Sequence, residues 1–222
     1  MEPVVFKTSD NVLIAADYYS GTSTKGAILL HMMPTTKSSW HSFAPLLVKE
    51  QYHVLAIDLR GHGESDGGPD GYQQFTDQEH EESIRDIAAA VDFLKQRGVD
   101  IAHLALIGAS IGANLVVAFM ALHHEIKSGV LLSAGTKYRG VDALHAIRDI
   151  VPSQRLFFVS SKDDISSYGS NYDMNIELMD ALKKEVSRKL VVYNSAGHGT
   201  NMFGKELPDL AKTISDWLSS SD

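Results

Sequence analysis

Cysteine does not occur anywhere in the 222 residues. Disulfides, thiolate metal sites and a cysteine nucleophile are therefore excluded. Positive charge is also in short supply: 20 Lys and Arg stand against 28 Asp and Glu, a formal net charge of −8. That balance argues against nucleic acid or an anionic membrane as a partner. Long apolar runs are missing too. The longest stretch, around Leu115 to Leu122, falls well short of the ~20 residues a membrane span needs. Met1-Glu2-Pro3-Val4-Val5-Phe6 has neither a basic start nor an extended apolar region, so no signal peptide is visible and a cytoplasmic protein is expected. Histidine is plentiful at ten residues, but none is spaced as His-Glu-x-x-His or a comparable ligand set. Neither a metal nor another cofactor is expected.

What is present is a regular alternation of strand and helix signals. Val4 to Thr8 and Val12 to Tyr19 flank Ser9-Asp10-Asn11 and read as an antiparallel hairpin. Ala27 to His31, His53 to Asp58, Leu104 to Ala109, Gly129 to Ser133, Leu156 to Ser160 and Leu190 to Tyr193 are short apolar runs, the form of strands covered on both faces. Between them lie helical patterns. Ser38 or Ser39 can cap a helix carrying Trp40, Phe43 and Leu47. Ile84, Ile87, Val91 and Leu94 share one helix face ending before Gly98, and Leu210, Ile214, Trp217 and Leu218 share another. Short helices are expected near Val141 to Ile150 and from about Asn175 to Val186. No linker or repeat divides the chain. It is read as one α/β domain over 1–222, with a mostly parallel sheet of about eight strands wrapped by helices.

The most informative stretch is Gly108-Ala109-Ser110-Ile111-Gly112, between a buried strand and an apolar helix. A serine at such a sharp turn needs small neighbours two positions away, where side chains would strike the strand and helix, and the new helix aims its unpaired N–H groups at the serine oxygen. Functional groups in parallel sheets gather at the carboxyl ends of strands. Two further strand ends carry the complementary chemistry: Asp163 and Asp164 after one, His198 after the last. Serine becomes a nucleophile when an imidazole takes its proton, and the imidazole needs a carboxylate to fix its tautomer. His198 is the only histidine after the acidic pair.

With Leu29 to Pro34, Asp58-Leu59-Arg60-Gly61-His62-Gly63-Glu64-Ser65 and Gly197-His198-Gly199 added, the chain resembles the α/β-hydrolase superfamily over nearly its whole length. The resemblance implies a small serine esterase with a minimal cap or none, acting on small-molecule esters through an acyl-enzyme. Ser110 would attack, His198 would shuttle the proton and Asp164 would orient it. Family loops run Gly-x-x-Asp-Pro at this point; Ser161 stands at the glycine, Asp164 at the acid and Ile165 at the proline, with Asp163 as the alternative acid. The N–H groups of Ile111 and Met33 would form the oxyanion hole. Met32 departs from the family, which usually has glycine there. His31 and His62 are expected to serve loop backbone, and Met32, Met33 and Met202 either to line an acyl pocket or to pack the core. A thioesterase, peptidase or acyltransferase on the same triad is the nearest alternative, and a binding protein that kept the fold without turnover is the alternative of another class.

Overall fold

The apolar runs become eight strands of one sheet in the computed structural model, which describes residues 1–220. The expected 1–222 unit thus extends two residues beyond the described ones. The strands are β1 (Glu2–Lys7), β2 (Leu13–Tyr19), β3 (Gly26–Leu30), β4 (His53–Ile57), β5 (Leu104–Ala109), β6 (Ser128–Leu132), β7 (Arg155–Ser161) and β8 (Ser187–Tyr193). Their order is β1-β2-β4-β3-β5-β6-β7-β8. Only β2 runs against the rest: it pairs antiparallel with β1 and β4, and every later pairing is parallel. Parallel pairing requires crossovers, and helices supply them.

The period of two in a strand sorts the core into two layers. Ile28, Leu30, Leu55, Ile57, Leu106, Leu131 and Phe158 face one side, with helices α2 (Ile84–Lys95), α3 (Ile111–Leu122) and α4 (Asn171–Ala181) packed on them. Ala27, Leu29, Val54, Ala56, Ile107, Val130 and Phe157 face the other side, under α1 (Ala44–Lys49) and α5 (Leu210–Ser219). Helix α3 follows β5 directly, and nearly every residue in it is buried. That burial explains why its sequence is apolar all round rather than striped.

Several elements differ from the sequence reading. Trp40, Phe43 and Leu47 are all buried, as one helix face would require, but they span a 3₁₀ turn at Lys37–Trp40 and the start of α1. Thr36, not Ser38 or Ser39, caps that turn by accepting from the Ser38 N–H. Helix α1 begins later, where Pro45 sits in its first turn and needs no N–H partner. Helix α4 starts at Asn171 because Ser170 accepts from Asp173 N–H, and it ends at Ala181 where Leu182 turns extended. The segment expected to be helical near 141–150 forms only Ala143–Ala146 and a following 3₁₀ turn. Before it lies a two-stranded ribbon, Lys137–Tyr138 against Val141–Asp142. A second ribbon pairs Ile165–Ser166 with Gly169–Ser170.

Candidate active site

Ser110 stands where β5 ends and α3 begins, with φ 54° and ψ −119°, in backbone space a non-glycine residue rarely occupies. Its own N–H donates to Leu132 O at 2.8 Å, and its carbonyl accepts from Ala113 and Asn114 N–H. The two glycines make this turn by closeness. A Cβ on Gly112 would lie 2.5 Å from Leu30 O, and one on Gly108 would run into the Gly112 backbone. Helix α3 therefore rests directly on the end of β3, and Ser110 is pushed to the apex, half-buried.

His198 lies in the loop after β8 and Asp164 in the loop after β7. His198 Nδ1 is 2.9 and 2.8 Å from the two oxygens of Asp164. An ionised carboxylate only accepts, so Nδ1 carries the proton and Nε2 is left with a lone pair. Asp164 is buried and its Oδ2 also accepts from Ser133 Oγ at 2.8 Å. The alternative acid, Asp163, has a different occupation. It accepts from Ser161 Oγ, Ser195 Oγ and Gly197 N–H, tying the two loops together. Those donors hold its carboxyl below the usual carboxylate range.

Ser110 and His198 line one cleft of about 200 Å³, together with Met33, Ile111, Tyr138, Arg139, Ser166 and Tyr168. Ile111 opens helix α3, so its N–H has no partner within the helix. Of the methionines weighed as pocket residues, only Met33 reaches this cleft; Met32 and Met202 are buried in the α1/α5 layer. Met32 turns inward against the His198 loop, where a Cβ on Gly199 would lie 2.5 Å from its sulfur. Its carbonyl is held from two sides, by Thr35 Oγ1 and by His31 Nδ1. His31 Nε2 in turn accepts from Leu59 N–H at 3.0 Å. Full burial and the neighbouring His62 bring the His31 pKa down to about 4. His31 is thus a neutral strut for the Met32–Met33 loop, and His62 Nδ1 likewise serves Arg60 O.

The sequence reading missed four residues that shape the site. Ser133, buried and at φ 53°, donates to Asp164 and accepts from Gly199 N–H at 2.9 Å. Asn114 is buried inside α3, where it accepts from Gly135 N–H and donates to Val141 O. Asn171 and Asn175 both donate to Ala134 O. A lone Asn within an apolar helix, and an Asn pair four apart, were the signals available, because buried polar groups need partners. The minimal cap expected over 133–155 is drawn down rather than raised: Tyr138, Val141, Ala143, Ile147 and Ile150 are all buried in the core. Among the described residues no three His, Asp or Glu side chains converge as a metal site requires, and no helix is long and apolar enough to cross a membrane.

A family model for the alpha/beta hydrolase fold matches residues 28–165, well over half the chain. Among solved structures, the chain is similar to an esterase of Pyrococcus furiosus, with TM-score 0.78 and 21% identity over 99% of this chain and 89% of that one. It is similar to an esterase from a Rhodococcus species, with TM-score 0.75 and 15% identity over 100% of both chains. It is also similar to a Butyrivibrio proteoclasticus protein solved with ferulic acid bound, with TM-score 0.77 and 15% identity over 98% of each. At these identities the likeness is one of fold.

Proposed function

The chain belongs to the α/β-hydrolase fold family, and from that premise we propose that it is a serine hydrolase cleaving short-chain carboxylic esters through an acyl-enzyme. One observation carries the reading: Ser110 and His198 share a small cleft, and His198 Nδ1 is held on the buried carboxylate of Asp164. With Nδ1 occupied as a donor, Nε2 is the basic nitrogen. Ser110 Oγ attacks the ester carbonyl as Nε2 takes its proton, and Asp164 stabilises the imidazolium that forms. The carbonyl oxygen becomes an oxyanion, which the N–H groups of Ile111 and Met33 receive. Collapse expels the alkoxide, protonated from Nε2. A water, deprotonated by the same nitrogen, then attacks the acyl-Ser110 ester and releases the acid.

Cleft size supports short acyl chains. A volume of about 200 Å³ is below the ~300–1,000 Å³ of pockets that enclose drug-sized ligands. Each methylene that still touches the wall adds ~0.8 kcal/mol, and one that projects into water adds nothing. In a series of nitrophenyl esters, kcat/KM is expected to peak between roughly two and six acyl carbons on that per-methylene scale. An optimum at ten carbons or more would mean a tunnel exists.

The experiment that tests the activity is fluorophosphonate labelling read by mass spectrometry. A phosphonyl adduct on Ser110, absent in Ser110→Ala, is expected along with ester turnover. Absence of labelling and turnover in the wild type would turn the reading to a binding protein of the same fold. Equal rates on matched thioesters or amides would move it to another acyl-transfer class.

A further inference from the structure

Arg139 lines the same cleft as Ser110 and His198, and the proposed acyl-transfer steps give it no role. Most other arginines here are engaged: Arg60 and Arg85 reach carboxylates, Arg155 and Arg188 reach backbone carbonyls and Arg97 lies over the Phe93 ring, while among the described residues Arg148 is unpaired like Arg139 but lies away from the cleft. Among the described residues no carboxylate stands within ion-pair distance of Arg139. Glu81 Oε1 and the Asp77 backbone oxygen lie against Gly140, the next residue of the turn, where an added Cβ would come within 2.8 Å of each.

The backbone holds Arg139 at the rim. Tyr138 pairs with Val141 and Lys137 with Asp142, so Arg139 and Gly140 form a two-residue hairpin loop, with φ 46° and 81°. Two positive φ values make this the turn type that favours Asn, Asp or Gly, and a long cationic side chain there is disfavoured locally. The loop is nevertheless fixed. Asn114 Nδ2 donates to Val141 O at 3.0 Å, Tyr138 is buried, and its ring meets that of Tyr168 from the facing ribbon at 5.1 Å, edge to face. A guanidinium without a protein partner, on a pinned turn beside a nucleophile, offers its N–H donors to an anion.

We propose that Arg139 makes this cleft selective for short esters that carry a carboxylate at the end of the chain, such as monoesters of small dicarboxylic acids. The inference rests on the ester-hydrolase reading for its reaction but not for its binding contact. A carboxylate matches the guanidinium as a planar, two-pronged acceptor. The net charge of −8 works against an anion at long range, so the selectivity is local and weakens as salt rises.

The test compares mono(4-nitrophenyl) glutarate with 4-nitrophenyl valerate, in the wild type and in Arg139→Asn, which keeps a residue suited to positive φ. The ratio of the two kcat/KM values is expected to fall about tenfold in the variant, equivalent to about 1.4 kcal/mol. The gap between the wild-type and variant ratios is also expected to narrow as ionic strength rises. A ratio unmoved by the substitution overturns the proposal, whatever the absolute rates. Calorimetric binding of glutarate separates this from the ester reading. If no ester is turned over, glutarate that binds the wild type about tenfold tighter than Arg139→Asn sustains the carboxylate site while the hydrolase reading falls. Equal binding to the two proteins, or none to the wild type, overturns it.

Discussion

Two groups of polar residues stand at the carboxyl ends of neighbouring strands, and each pairs histidine with buried aspartate. Beyond β3 and β4 lie His31, Lys37, Asp58, Arg60 and, reaching in from α2, Asp86. Beyond β5 to β8 lie Ser110, Ser133, Asp164 and His198. In the first group the protein closes the hydrogen bonds on itself. Asp58 accepts from Lys37 N–H, Lys37 Nζ and Glu64 N–H. Asp86 accepts from Arg60 N–H and Nε, and Arg60 reaches on to Asp10. In the second group Asp164 is equally buried, but the His198 side chain keeps 33% of its surface, and Ser110 faces a cleft. The difference is what remains unpaired. Polar groups saturated by the protein hold loops in place, whereas groups left with a free valence beside a cavity can act on something else.

The sharpest way to break this comparison is to remove the unpaired groups. Ser110→Ala and His198→Ala are each expected to lower ester turnover by at least ~10³-fold, and the double variant to be little worse than either. Asp164→Asn is expected to cost ~10³- to 10⁴-fold through the wrong imidazole tautomer. Asp163→Asn should cost far less, because its partners are loop hydroxyls and an N–H rather than His198. Steady-state rates of the four single variants and the double variant decide. Multiplying losses in the double variant, or Asp163 outweighing Asp164, would contradict the assignment.

The saturated group should show the opposite pattern, with a loss of stability and a preserved site. Asp86→Ala leaves the Arg60 guanidinium buried with only Asp10, and removing one member of a buried pair costs about 3–5 kcal/mol. Urea unfolding measures that loss, while the fraction still folded should label on Ser110 at the wild-type rate. A cost below about 1 kcal/mol would put this pair in the class of weak surface contacts.

His31 gives the comparison a pH dependence. Its folded pKa of about 4 lies below the 6.5 of a free histidine, so the unfolded chain binds the extra proton first. Its contribution is present in full above pH 6.5 and is lost as pH falls toward 4. Asp86 works in the opposite sense: burial raises its pKa from 3.8 to about 6, with Arg60 pulling it back. Its contribution therefore grows as pH falls through that window. Wild-type stability alone mixes the two. The difference in unfolding free energy between wild type and His31→Gln isolates the histidine, and it should shrink by about 2 kcal/mol from pH 7 to pH 5. A constant difference would mean His31 does not titrate as a buried neutral group.

Legibility in the sequence followed the same division. The inner strands could be read because each contains a short continuous apolar run, the first hairpin because two β-branched and aromatic runs flank Ser9-Asp10-Asn11, and the elbow because two glycines at fixed spacing answer a local steric need. Asp164 and His198 could be located because each follows directly on a strand. The supporting polar residues could not. Ser133 and Asn114 act through partners 31 and 21 residues away, and no local pattern encodes such a contact. The two ribbons that form the cleft rim were missed for a related reason. Each has strands of two residues, too short for any period to register. Helix α4 was misplaced because Asn171 and Asn175 face inward and dilute its apolar stripe.

Ser133 stands where the two regimes meet, which makes it the finest test. It belongs to the site by position but is saturated like the other group, donating to Asp164 and accepting from Gly199 N–H. In the proposed mechanism it would be a positioning residue, through the acid and the histidine loop. Ser133→Ala is expected to lower kcat about tenfold, the scale of one hydrogen bond to a charged group, with little change in KM. Ser133 also has φ 53°, and strain relief could mask or mimic the effect. Ser133→Gly removes the strain together with the hydroxyl, and Ser133→Thr keeps the hydroxyl. If the hydroxyl is what matters, Gly should be as slow as Ala, with KM equally unmoved, and Thr should recover toward the wild type. A Gly variant with wild-type kcat and KM would mean that Ser133 serves the backbone turn alone.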